Sequence, residues 1–172
     1  MDFDLVVPTL GRSAELVRFL DALEAQSYRS FRLIVVVDQN GEAGLEPILA
    51  PYRDRIRLQL VESPRGLSRA RNAGLRQVAG DVVSFPDDDC WYPPDLLQRV
   101  ADTLERNPTW DGLAGRTVDE SARSSVMLWQ KEPGLITKQN VWRTAITVTE
   151  PSFMRFKSSS RLIGSSSSLC SR

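Results

Sequence analysis

Apolar positions along the chain switch between two rhythms, and the switching predicts strands alternating with helices. Phe3 to Thr9 is a short apolar run that reads as a strand and carries Pro8 near its end. Ser13 to Gln26 follows with Leu16, Val17, Leu20 and Leu23 at helical spacing, the helix opening on Ser13 as N-cap with Glu15 in its first turn. Phe31 to Val37 is aliphatic on nearly every residue, as a strand buried on both faces should be, and ends at Asp38-Gln39-Asn40-Gly41. The same reading predicts a helix over about Leu45 to Tyr52, a strand over Ile56 to Val61 and a helix over Gly66 to Val78 that Gly80 terminates. That helix takes its apolar positions from Leu67, Ala70, Ala73, Leu75 and Val78. Val82 to Phe85 is a fourth strand and Trp110 to Gly115 a fifth. Between them Pro93-Pro94 opens a helix that turns Leu96, Leu97, Val100 and Leu104 inward and stops near Asn107-Pro108. Parallel neighbours need crossover connections, so the pattern predicts an α/β fold with a mainly parallel central sheet and helices on both faces.

Past residue 116 the rhythm fails. Apolar residues are scattered from Thr117 to Arg143, Ala145 to Val148 has the look of a short strand, and eight of the last fifteen residues are Ser. The expected organisation is an α/β domain over 1–116, the incomplete start of a further region over 117–157, and a Ser-rich, disordered tail over 158–172.

The length of 172 residues and 41% hydrophobic content fit one ordinary domain with a real core. Basic and acidic residues both number 22, which lacks the basic footprint of a nucleic-acid binder. The charge is nonetheless uneven: residues 1–110 hold 13 Arg against 17 acids, and residues 111–172 hold 9 basic against 5 acidic residues. The longest aliphatic run, Leu33 to Val37, is far short of a transmembrane span, and the acidic Met1-Asp2-Phe3-Asp4 start is unlike a secretory signal. The chain is therefore read as cytoplasmic, with peripheral placement at the inner membrane face left open. No His is present, which removes Ser-His-Asp triads and His-ligated metals and leaves carboxylates as acids, bases or ligands. Cys90 and Cys170 form no CxxC, and Cys90 reads as a small buried core thiol.

Ligands of parallel α/β sheets sit in the crevice outside the carboxyl ends of the strands. Pro8-Thr9, Asp38 and Asp87-Asp88-Asp89 all fall there. Three adjacent carboxylates repel unless a cation joins them, and Mg²⁺ or Mn²⁺ takes oxygen ligands from one or two carboxylates plus phosphates. The alternative for the triplet is an exposed acidic turn capping the helix at Pro93. The segment Gly66 to Gly74 is rich in small residues that let a helix N-terminus approach a ligand, with Arg71 and Asn72 aimed at the crevice. An ordinary Ala/Arg-rich surface helix is the plainer reading, and Arg65, Arg69 and Arg76 suit it. Trp91 and Tyr92 are read equally as walls of the crevice and as core. The first loop, Pro8-Thr9-Leu10-Gly11, has neither the acidic pair of an aspartyl phosphatase, nor the phosphate loop of a nucleotidyltransferase, nor the GxGxxG of a dehydrogenase.

The phrases Val6-Val7-Pro8-Thr9, Val35-Val36-Val37-Asp38, Gly66-Leu67-Ser68-Arg69-Ala70-Arg71-Asn72-Ala73-Gly74 and Phe85-Pro86-Asp87-Asp88-Asp89 stand in the order and spacing of glycosyltransferase family 2. The resemblance covers about residues 3 to 120. It implies the GT-A fold and inverting transfer of a sugar from a nucleoside-diphosphate donor (UDP, GDP or dTDP) to a hydroxyl of a saccharide or lipid-linked acceptor. By the resemblance Pro8 and Thr9 line the nucleotide pocket, Asp38 bonds the base, and Arg71 lies against the base or pyrophosphate. The triplet resembles the family's DxD signature: Asp87 or Asp88 meets the ribose and metal-bound water, and Asp89, with Asp87, holds Mg²⁺ or Mn²⁺. Family members continue through an acceptor half that supplies the catalytic base. Here the sequence reads as truncated or frame-shifted after Met154, and Asp111, Asp119, Glu120, Glu132 and Glu150 carry no motif that makes one of them the base. Two expectations follow: a metal-dependent transferase, complete alone or with a partner chain or second copy, or a donor-binding module without transferase activity.

Overall fold

The computed structural model describes residues 1–10, 13–38, 42–115, 134 and 152–156. The strands are β1 (Phe3–Thr9), β2 (Phe31–Asp38), β3 (Arg57–Ser63), β4 (Val82–Ser84), β5 (Gly112–Ala114) and β6 (Ser152–Arg155). The helices are α1 (Ser13–Glu24), α2 (Glu42–Leu49, continued by a 3-10 turn at Ala50–Tyr52), α3 (Leu67–Leu75) and α4 (Leu96–Arg106). They form one six-stranded sheet in the order β3-β2-β1-β4-β6-β5. β3, β2, β1 and β4 are mutually parallel, while β6 runs antiparallel to both β4 and β5.

The strands alternate their side chains between two cores, as the pleat demands. Phe3, Leu5 and Val7 face α1, α2 and α4, joining Leu16, Phe19, Leu20, Leu23, Leu45, Leu97 and Leu104. Val6, Ile34, Val36 and Val83 face the other way, against Ala70, Ala73 and Leu75 of α3. Helices thus cover both faces. The close approach of α3 depends on Gly74, where a Cβ would overlap Val6 Cγ1 and stand 3.0 Å from Val36 Cγ2.

Several sequence readings change. α1 buries Phe19 rather than Val17, which is exposed. α3 ends at Leu75, and Gly80 does not terminate it; Gly80 instead donates its N–H to the Asp4 carboxylate at 2.8 Å. Leu67 is 54% exposed and supplies nothing to the core. Pro93-Pro94 precede α4 in a turn whose Pro93 carbonyl accepts the Leu96 N–H. β6 is a strand that no periodicity announced, and its Phe153 is buried edge-on to Phe3, with ring centroids 6.1 Å apart. The strand suggested at 145–148 and the Ser-rich tail lie outside the described residues, as does the boundary placed at 116/117. Among the described residues no helix is long and apolar enough to cross a membrane.

Candidate donor-binding site

The carboxyl edge of the parallel strands gathers most of the residues singled out in the sequence. β1 ends at Thr9 and β2 at Asp38, which stands opposite Ser63 on β3. Pro8 is half-buried opposite Val36. The Asp triplet follows β4 after Phe85-Pro86, and the N-terminal end of α3 lies at the same edge, opened by Gly66 with φ of +132°. That backbone angle favours glycine because a Cβ would be strained there.

The three carboxylates point to three different environments. Asp88 is 3% exposed and accepts a hydrogen bond from the Thr9 hydroxyl at 2.7 Å. Asp87 is half-exposed and meets Arg71 Nη2 of α3 at 3.3 Å, a long single-pronged ion pair. Asp89 is exposed. The Asp87 carbonyl accepts the Cys90 N–H at 3.3 Å, which folds the triplet into a turn. Arg71 Nε is buried with no hydrogen-bond partner, so the guanidinium keeps donor capacity for an anion. Asn72, Arg65, Arg69 and Arg76 are exposed.

The loop after the triplet separates the two aromatic residues. Tyr92 is buried against Phe19 and Phe153, at 5.8 and 6.2 Å between centroids, and belongs to the core. Trp91 is 46% exposed, with the Arg18 guanidinium 5.3 Å above its ring. Cys90 is half-buried rather than a full core thiol.

One positioning residue escaped the sequence reading. Gln26, buried just beyond α1, donates to the Pro93 carbonyl at 2.7 Å and accepts the Leu97 N–H at 3.1 Å. It satisfies an orphan amide at the start of α4, where Asp95 makes no side-chain cap. Ser27 adds a bond from its N–H to the Pro94 carbonyl at 2.8 Å. A glutamine at a helix end has no local signature for a contact made 67 residues away.

Metal-ligating capacity is limited on the protein side. Among the described residues no three His, Cys, Asp or Glu side chains cluster so as to hold an ion by themselves. A half-exposed and an exposed carboxylate on one turn suit a hard cation that completes its oxygen shell from phosphates and water.

The sequence pattern of glycosyl transferase family 2 matches residues 4–164. The chain belongs to this family. The amylovoran biosynthesis glycosyltransferase AmsB of Erwinia amylovora is 33% identical over 110 residues, covering 62% of this chain and 36% of AmsB. The structure of S. aureus TarS 1-349 in complex with UDP-GlcNAc superposes with a TM-score of 0.72 at 22% identity, over 90% of this chain and 45% of that one. The Pyrobaculum calidifontis mannosyltransferase PcManGT, in complex with GDP-Man and Mn²⁺, gives a TM-score of 0.58 at 27% identity, over 65% of this chain and 34% of PcManGT. The fold is therefore that of the GT-A glycosyltransferases. The chain spans about a third of the length of curated relatives such as AmsB.

Proposed function

We propose that residues 1–116, closed by β6, form the donor-binding domain of a metal-dependent, inverting glycosyltransferase that takes its sugar from UDP or GDP. The observation that carries this reading is the convergence of the Asp87–Arg71 pair and the Asp88–Thr9 bond at one carboxyl edge. Structures of similar fold in complex with UDP-GlcNAc and with GDP-Man and Mn²⁺ support it.

In this reading Pro8 and Thr9 border the nucleotide, Asp38 meets the base, and Asp87, rather than the buried Asp88, meets the ribose. Arg71, with its long contact to Asp87 and unpartnered Nε, faces the pyrophosphate or the base. As the glycosidic bond breaks, negative charge grows on the departing diphosphate, and the Arg71 guanidinium, with donors to spare, stabilises that charge. Asp89 and Asp87 are the carboxylates that would hold Mg²⁺ or Mn²⁺, which when bound would supply positive charge beside the diphosphate. The acceptor, a saccharide or lipid-linked hydroxyl, and the base that deprotonates it belong to residues beyond this site. Residues 117–157 then begin the acceptor region, and the protein acts in the cytoplasm, at or near the inner membrane face.

Calorimetric titration of the 172-residue chain with UDP and with GDP, each with and without Mn²⁺, tests the reading. Binding that requires Mn²⁺ is the expected result. A folded chain that binds neither nucleotide overturns it.

A further inference from the structure

The ladder between β1 and β4 pairs Leu5 with Ser84 and then stops, because β4 ends at Ser84 and Pro86 has no N–H to continue it. Four residues further along each chain stand Thr9 and Asp88, at the same offset of 79 positions as the last paired residues. Their side chains make the tie that the backbones have ceased to make: Thr9 Oγ1 donates to Asp88 Oδ2 at 2.7 Å, and both residues are buried. A buried carboxylate that loses a donor is costly, so the bond fixes Asp88 strongly. Asp88 is thereby the inward residue of the triplet, and its neighbours Asp87 and Asp89 are left on the accessible side.

We infer that Thr9 is a positioning residue: its hydroxyl anchors Asp88 to the end of β1, and this anchor presents Asp87 and Asp89 to a divalent cation bound with the nucleoside diphosphate. The inference rests on the donor-site reading above and deepens it. Thr9 acts on the cation through Asp88 and not by touching the nucleotide with its hydroxyl. Partners that orient metal ligands in this way are typically worth about 10–100-fold in metal affinity.

The test compares the wild type with Thr9→Val, which keeps the shape and loses the donor, and with Thr9→Ser, which restores it. Calorimetry reads UDP affinity with and without Mn²⁺, thermal melting reads stability, and amide exchange across residues 87–91 reads the turn without any ligand. The expected result for Thr9→Val is a loss of about 10–100-fold confined to the Mn²⁺-dependent part of UDP binding. Faster exchange across 87–91 accompanies it, and Thr9→Ser recovers both. An equal loss of affinity with and without Mn²⁺ overturns the inference, because the hydroxyl would then touch the nucleotide directly. A lower melting temperature with undiminished Mn²⁺ dependence overturns it too, since the bond would then serve stability alone. Unchanged exchange across 87–91 removes the anchor itself, whatever the nucleotide does. A wild type that binds no nucleotide defeats the donor-site reading and the positioning role together, while the exchange measurement still decides whether Thr9 tethers the turn.

Discussion

Asp4 and Arg32 stand opposite each other on the parallel strands β1 and β2 and are joined by two hydrogen bonds of 2.8 Å, Nε to Oδ1 and Nη2 to Oδ2. The same carboxylate accepts the N–H groups of Ala79 at 2.7 Å and Gly80 at 2.8 Å, and Arg32 also donates to the Gln77 carbonyl at 2.8 Å. The cluster holds the α3–β4 turn to the amino edge of the sheet, the end away from the candidate site. It fixes the turn that follows α3, the helix that carries Arg71 at its middle.

This arrangement makes stability depend on acid in a defined direction. Burial disfavours the Asp4 charge, but the Arg32 guanidinium and the two amides outweigh burial and hold the carboxyl below its ordinary value. A depressed carboxyl contributes fully above the unfolded-state value near 4, and the contribution is lost as pH falls through the folded value. Asp4→Ala should cost about 2–4 kcal/mol at pH 7, since it strands Arg32 and two amides. Urea denaturation of both proteins from pH 7 to pH 2 should show the difference narrowing below about pH 4. A difference that stays constant to pH 2 would mean that the charge of Asp4 contributes nothing.

Gly74→Ala probes the contact of α3 with the sheet. The added methyl meets Val6 and Val36, both fully buried, so the helix must shift or the valines must change rotamer. Overpacking of this kind costs about 1–3 kcal/mol, partly offset by the better helix propensity of Ala, up to about 1 kcal/mol. A lower melting temperature together with weaker UDP binding is expected, because the displaced helix carries Arg71. A melting temperature at or above that of wild type would show that the interface has slack.

The sheet and its helices were legible because they rest on local periodicity. Val6, Ile34 and Val36 alternate with Leu5, Leu33 and Val35 along strands long enough to announce themselves, and α4 buries Leu97, Val100 and Leu104 at helical spacing. What was not legible depends on distant partners. β6 is four residues long, buries Phe153, and becomes a strand only because β4 and β5 accept it on either side. Gly80 looked like a helix terminator, but its position is set by Asp4, 76 residues earlier in the chain. The three aspartates were visible as a group, whereas their division into an anchored Asp88, a paired Asp87 and an exposed Asp89 required Thr9 and Arg71 in place.

Gln26→Ala separates support of the site loop from the chemistry of the site. The substitution leaves the buried Leu97 amide and the Pro93 carbonyl without their glutamine partner. A loss of about 1–3 kcal/mol is expected, read as a lower denaturation midpoint with an unchanged denaturant slope. Amide exchange at Leu97 should rise well above that at the centre of α4. Equal protection in variant and wild type would show that another group caps the helix.

Asp89 and Asp87 can be told apart by what their removal does to metal-free binding. Asp89 is exposed, and Asp89→Ala should abolish the Mn²⁺-dependent part of nucleoside-diphosphate binding with the fold retained. Asp87→Ala also releases Arg71, whose Nη2 it holds at 3.3 Å, so the guanidinium becomes available to the diphosphate without a competing carboxylate. Its Mn²⁺-dependent binding should fall, and its metal-free binding should hold or rise. Calorimetry with UDP at matched ionic strength, with Mn²⁺ present and then removed by chelation, resolves both components. Mn²⁺ dependence that survives Asp89→Ala would take the cation away from the triplet. A metal-free affinity that drops in Asp87→Ala would instead mean that Asp87 holds Arg71 in its binding geometry, so that the ion pair serves the diphosphate rather than competing with it.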